Sequence, residues 1–198
     1  MDENFSSALV ILLLVLDPLG NVPMVLTLLK NVPLDKRPRL IMLECLIAFS
    51  ALLVFMLTGR AFLDLIHLSE RSLQVAGGVI LFMVAVRMVF PGTTGVFGDL
   101  GDRPPWIFPL AIPLIAGPSA MATVLLMASR QPERMPEWIA ALVCAMLITT
   151  IILLAGGWLL RMLGEAALSA IEKLMGLILT AVAVEMVLAG IHQYFIDR

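Results

Sequence analysis

Six stretches of the chain are almost wholly apolar, roughly 5–29, 39–60, 72–90, 106–129, 137–160 and 168–194, and polar residues gather in the short joints between them. Each stretch is close to the roughly 20 residues that a helix needs to cross a bilayer core. The pattern predicts an all-α, polytopic membrane protein with six transmembrane helices in a single transmembrane domain over 1–198. The joint at 91–105 differs from the others, running from Pro91-Gly92-Thr93-Thr94-Gly95 to Arg103-Pro104-Pro105, a string of helix breakers. It divides the helices three and three, into a repeat over about 1–92 and another over about 104–198.

Two of the six stretches are interrupted. In the first, Asp17-Pro18-Leu19-Gly20-Asn21-Val22-Pro23 places a carboxylate and two prolines in the middle of the span. In the fourth, Pro113-Leu114-Ile115-Ala116-Gly117-Pro118 repeats the proline spacing, again with a glycine between. Proline has no N–H, so each interruption removes hydrogen bonds and leaves carbonyls that hydrocarbon cannot satisfy. Such a break survives only where protein or a watery cavity surrounds it. Matching breaks in two halves of a membrane chain point to a transporter's binding site near the midplane.

The halves also match in sequence. With Gly78 set over Gly176, Val84-Ala85-Val86-Arg87-Met88-Val89 lies over Val182-Ala183-Val184-Glu185-Met186-Val187, identical at five of six positions. The same offset pairs Gly59 with Gly157 and Gly92 with Gly190, and an offset three residues shorter pairs Pro18 with Pro113 and Pro23 with Pro118. Three helices per repeat is an odd number, so the second copy enters the membrane from the opposite side. The expected architecture is two inverted three-helix repeats, with the first and fourth helices broken near the midplane.

Composition agrees: 61% of residues are hydrophobic, 14% charged, and the mean hydropathy is +1.03. The tail Met1-Asp2-Glu3-Asn4 is acidic where a cleavable signal would be basic, and no processing is expected. The first joint holds Lys30, Lys36, Arg37 and Arg39, which places it in the cytoplasm and both termini outside. A net charge of −2 with no basic cluster excludes nucleic acid as a partner. Cys45 and Cys144 lie mid-helix without CxxC spacing, His67 and His192 are isolated, and the 13 methionines form no series, so neither metal nor cofactor is expected. An intramembrane hydrolase would need a nucleophile with its base, and no histidine lies near Ser119. An enzyme is therefore not expected.

The segments Leu16-Asp17-Pro18-Leu19-Gly20-Asn21-Val22-Pro23, Pro109-Leu110-Ala111-Ile112-Pro113-Leu114-Ile115-Ala116-Gly117-Pro118 and Gly77-Gly78-Val79-Ile80-Leu81-Phe82 resemble those of the MarC family of integral membrane proteins, in its YhgN-like branch. The resemblance covers nearly the whole chain. It implies membership of a superfamily of amino-acid exporters, whose SnatA relatives transport small neutral amino acids such as glycine and alanine. A bacterial inner membrane location is implied with it.

The motifs offer chemistry suited to that cargo. A half-helix starting near Asn21, with Asn21 as N-cap and Pro23 in its first turn, would direct free N–H groups at the midplane. The second break offers Gly117, then Pro118 at the first helical position, then the hydroxyls of Ser119 and Thr123. Helix N-termini favour anions, which suits a carboxylate, and Asp17 suits an ammonium. The expected substrate-binding set is Asp17, Pro18, Gly20, Asn21, Pro23, Pro113, Gly117, Pro118, Ser119 and Thr123. Asp17 can alternatively serve as a structural cap of the break. Asp17, Glu44 and Glu185 are candidates for a coupling proton or sodium ion, although Glu44 reads better as an interfacial partner of Arg37 or Arg39. Lipids and a second copy of the chain are further expected partners. A channel, or a structural or stress-associated membrane protein, is the alternative reading, but continuous polar helix faces are missing.

Overall fold

The computed structural model describes residues 4–29, 32–65, 67, 69–90 and 115–196. The described part is helical: α1 (Phe5–Leu16), α2 (Pro18–Leu28), α3 (Arg37–Leu65), α4 (Glu70–Val89), α5 (Pro118–Arg130), α6 (Met135–Leu154) and α7 (Gly156–Ile196), with a 3-10 turn at Pro132–Arg134. Four stretches, Phe5–Leu26, Arg37–Thr58, Pro132–Leu154 and Ala166–His192, are long and apolar enough to cross a membrane, and Gln74–Val86 is a shorter apolar helix. The joint at 91–105 and the first half of the fourth predicted span lie outside the described residues.

Aliphatic side chains on the outer faces, among them Val54, Leu57, Leu147, Ile151, Leu177 and Leu188, are largely exposed. A protein surrounded by water would bury such a surface, whereas acyl chains solvate it. Inside, Leu12, Leu16, Leu52, Met56, Leu81, Trp138, Leu142 and Leu179 are buried in one continuous core. The Trp138 indole N–H is satisfied by the Gln131 carbonyl at 3.0 Å, and Arg134 covers the ring at 5.1 Å while pairing with Glu137. That cluster fixes the tight turn between α5 and α6.

The predicted fifth and sixth helices are redrawn at their junction. The fifth does not continue to 160: α6 stops at Leu154, Ala155 makes a turn, and α7 starts at Gly156. The segment from Gly156 is interrupted at Gly164, whose non-helical φ of 78° is open to glycine without a Cβ penalty, and the membrane-length stretch after it, Ala166–His192, agrees with the predicted 168–194. Every residue from Leu153 to Trp158 is apolar or glycine, so hydropathy carries no mark of the turn.

Packing runs between the two groups of helices rather than within them. Among the described residues every extensive contact joins α1–α4 to α5–α7. The α4/α7 pair is the most extensive; α3 packs on α5 and α6, α6 on α1 and α2, α2 on α7, α4 on α5, and α1 on α5. Exchanging the groups carries α3 on α5 into α6 on α2 and α4 on α5 into α7 on α2, while the counterparts of the α1 contacts fall outside the described residues. The α4/α7 crossing shows the same reciprocity at atomic scale. A Cβ placed on Gly78 would stand 2.9 Å from the Ala183 carbonyl oxygen, 3.1 Å from Met186 Cβ and 2.8 Å from Val187 Cγ2. A Cβ placed on Gly176 would meet the Ala85 oxygen at 3.0 Å, Met88 Cβ at 2.9 Å and Val89 Cγ2 at 3.0 Å. The buried faces of α3 and α6 correspond too, Ile41 with Trp138, Glu44 with Ala141, Cys45 with Leu142, Ala48 with Ala145, Leu52 with Thr149 and Met56 with Leu153.

Candidate functional site

The chain breaks at Asp17, whose φ of 41° and ψ of 62° put it in the left-handed region that Asp and Asn tolerate better than other side chains. Its own N–H still closes α1 onto Leu13 O at 3.0 Å, and Pro18 then opens α2 at a position where a missing N–H costs nothing. Two side chains exchange partners across the step. Asp17 Oδ1 accepts from the Gly20 N–H at 3.1 Å, taking a donor that a continuous helix would give to the Leu16 carbonyl. Asn21 Nδ2 donates to that Leu16 carbonyl at 2.9 Å. The N-cap of α2 is therefore Asp17 and not Asn21, which caps the end of α1 instead. With α2 starting at Pro18, Pro23 lies beyond the first turn and has no N–H to give the Leu19 carbonyl.

Asp17 is only 4% exposed, and its second oxygen, Oδ2, has no hydrogen-bond partner among the described residues. The carboxylate lies over Gly20: a Cβ there would run into it and stand 2.5 Å from Met88 Cε of α4. Gly20 is thus the floor on which the carboxylate rests, with Pro18 buried beside it and Asn21 and Pro23 half-buried.

At the second break, Pro113 lies outside the described residues. Gly117, with φ −63° and ψ 164°, is the N-cap of α5 and Pro118 takes its first position, as the sequence predicts. Ser119 and Thr123 are both buried, and the Thr123 hydroxyl donates to the Ser119 carbonyl at 2.8 Å, so its proton is engaged by its own helix. Residues flanking both breaks, Val15, Leu16 and Val22 on one side and Ile115, Ala116 and Ala120 on the other, belong to the same buried core.

The remaining acids separate. Glu44 is 1% exposed within α3, Arg37 Nε donates to the Val32 carbonyl at 2.9 Å, and Arg39 is exposed. Glu185 is exposed on α7, and the Arg87 side chain is outside the described set. An apolar groove of about 330 Å³ opens between α3 and α6, lined by Met42, Cys45, Phe49, Met146 and Thr150 among others, and none of the predicted site residues lines it. Among the described residues no three His, Cys, Asp or Glu side chains are grouped to hold a metal. One buried polar residue escaped the sequence reading: Thr149 of α6, 0% exposed, with its hydroxyl oxygen unpartnered among the described residues. The offsets read from the sequence set it against other residues, and only the buried faces of α3 and α6 put it opposite Leu52.

An apolar outer surface, several membrane-length helices and a buried carboxylate at a capped helix break define a polytopic integral membrane protein with a polar interior point. Comparison with known proteins gives the family. The model of the MarC family of integral membrane proteins matches residues 3–195, and the chain belongs to that family. It is 40% identical over 195 residues to the UPF0056 inner membrane protein YhgN of Escherichia coli strain K12, covering 98% of each chain. It is 38% identical to a UPF0056 membrane protein of Buchnera aphidicola from Schizaphis graminum, covering 98% of this chain and 99% of that one. At 31% identity it also matches a UPF0056 membrane protein of Pyrococcus abyssi, covering 98% and 96%. No solved structure matches.

Proposed function

We propose that the protein is a secondary transporter, acting as an exporter, of small neutral amino acids such as alanine or glycine, working in a bacterial inner membrane like the one named for its E. coli relative. The observation that carries this reading is Asp17 Oδ2, a buried oxygen with no partner among the described residues at the mouth of a helix. An orphaned buried polar atom costs about 1–3 kcal/mol, more when charged, and a fold keeps one where a ligand completes it. An ammonium group is the natural complement. The substrate carboxylate is then assigned to the N-terminus of α5, where the helix dipole and the Ser119 hydroxyl favour an anion. Asp17 Oδ1 acts as the cap while Oδ2 meets the ligand, so the structural and binding roles divide between the two oxygens. Asp17 and the buried Glu44 are better placed than the exposed Glu185 for a coupling proton or sodium ion.

The frame of this transporter is proposed to be two inverted three-helix repeats. The reciprocal contacts of Gly78 and Gly176 and the matching buried faces of α3 and α6 support it, because a two-fold axis in the membrane plane generates such correspondences. The four basic residues of the first joint support an orientation with both termini outside the cytoplasm. A reporter fused after Arg198 is expected to give an extracytoplasmic signal, and a cytoplasmic one reverses the orientation.

Function is tested by flux. Purified protein in liposomes is expected to move labelled alanine and glycine, faster under an imposed proton or sodium gradient, with unlabelled alanine competing. Absence of any gradient-dependent flux of neutral amino acids would sink the reading.

A further inference from the structure

Six hydroxyls inside these helices, on Ser50, Thr58, Thr123, Ser129, Thr150 and Thr180, donate to the carbonyl four residues back at 2.7–2.9 Å. An apolar surround dictates this, since the nearest acceptor is the helix's own backbone. Thr149 departs from the rule, although it is fully buried and its neighbour Thr150 obeys it with a 2.7 Å bond to Met146 O. A threonine in a helix has a rotamer that reaches the carbonyl one turn back, here that of Ala145, and Thr149 does not use it. Its hydroxyl and Asp17 Oδ2 are orphaned buried atoms of the described transmembrane helices; the other such atom, Gln131 Oε1, belongs to the half-buried turn between α5 and α6.

On the proposed six-crossing frame, helical rise brings the two orphans to about one depth. Helix α6 packs on both α1 and α2. Register is given by Gly156, just past the end of α6, where a Cβ would stand 3.2 Å from Val22 Cγ1 of α2. Thr149 precedes Gly156 by about two turns, roughly 10 Å of rise, and Asp17 precedes Val22 by about 7.5 Å. As the first and fifth crossings, α1–α2 and α6 run in the same direction, so the two levels differ by about 3 Å. Flanking residues of both, Leu16 and Val22 with Ala145, Met146 and Leu153, share the same core.

We infer that Thr149 is a substrate-binding residue of the transport site, its hydroxyl held off its own backbone to donate to the carboxylate of the zwitterion whose ammonium rests on Asp17 Oδ2. The assignment rests on the transporter reading and adds to it a neutral donor from a third helix. Free amines without a carboxylate would gain nothing from Thr149, which narrows the cargo to amino acids.

The test compares Thr149→Val, which keeps the shape and removes the hydroxyl, with Thr149→Ser, which keeps the hydroxyl, in full-length protein. Alanine binding to the purified protein, alanine flux in liposomes and the melting temperature are measured for each. Thr149→Val is expected to weaken alanine affinity by about tenfold or more while the melting temperature stays level or rises, because an unsatisfied buried hydroxyl has been removed. Thr149→Ser is expected to stay within about threefold of the wild type. Wild-type affinity in Thr149→Val overturns the assignment and leaves the transporter reading standing. Parallel loss of affinity and melting temperature in Thr149→Val overturns it in favour of a packing role. A wild-type protein that neither binds nor moves any neutral amino acid overturns the transporter reading and this assignment together.

Discussion

Asp17→Asn is expected to abolish transport while leaving the fold intact. Asparagine is at ease in the left-handed conformation that Asp17 adopts, and it is as good an N-cap, so its Oδ1 can keep the Gly20 N–H. The change falls on the other atom, where an amide NH2 replaces the unpartnered Oδ2 and presents donors to a substrate ammonium. A charge-assisted hydrogen bond worth about 1.5–3 kcal/mol is lost and a donor-to-donor opposition takes its place, enough to cut affinity by about a hundredfold. Stability should change by no more than about 0.5 kcal/mol. Asp17→Ala should behave differently: loss of the cap costs roughly 1 kcal/mol and the left-handed backbone adds about 1 kcal/mol or more of strain. Flux in liposomes beside thermal melts in detergent separates the two. An asparagine variant that transports at the wild-type rate would leave Asp17 a cap and nothing more.

Gly78→Ala and Gly176→Ala are expected each to destabilise the protein by about 1–3 kcal/mol, and by similar amounts, because the added methyl meets corresponding atoms in the two cases. The closest of these include main-chain carbonyl oxygens, which cannot rotate aside, so relief requires the α4/α7 crossing to open. Gly157 supplies the control: nothing lies within 4 Å of a Cβ there, and Gly157→Ala should be neutral or should stabilise its helix by up to about 1 kcal/mol. Melting temperature and monodispersity in detergent are the readouts. Tolerance of alanine at Gly78 or Gly176 would show that the close crossing is not a structural requirement.

What could be read from the sequence was what depends on local covalent chemistry. Pro18 and Pro118 lack N–H groups wherever they stand, and both begin helices at or beside the predicted breaks. What could not be read was decided by competition or by neighbours. Asp17 and Asn21 can both cap, and the outcome turned on Asp17 adopting the left-handed backbone while Asn21 reached back to Leu16. Glu44 stands beside a basic joint, but its burial is set by helices that pack on α3 from the other group. Thr149 is one of two adjacent threonines in an apolar run, and its burial is visible only when the core faces of α3 and α6 are laid over one another. The α6/α7 turn is made of apolar residues and glycine, and no polarity change announces it.

The cross-group packing has a consequence for how unlike the two halves can become. On the proposed inverted-repeat frame, a chain of only three helices would find every extensive contact in an upside-down twin, and as a self-paired assembly it would be bound to place the same side chain on both sides of its axis. Such a cavity is a poor receptacle for a molecule with unlike ends. Joined in one polypeptide, the halves are released from that constraint: Asp17 stands where the second half has Ile112, Glu44 where it has Ala141, and Thr149 where the first has Leu52. Fusion permits polarity along an axis that mere self-association would have kept neutral, and a head-to-tail cargo such as an amino acid is what such polarity can orient.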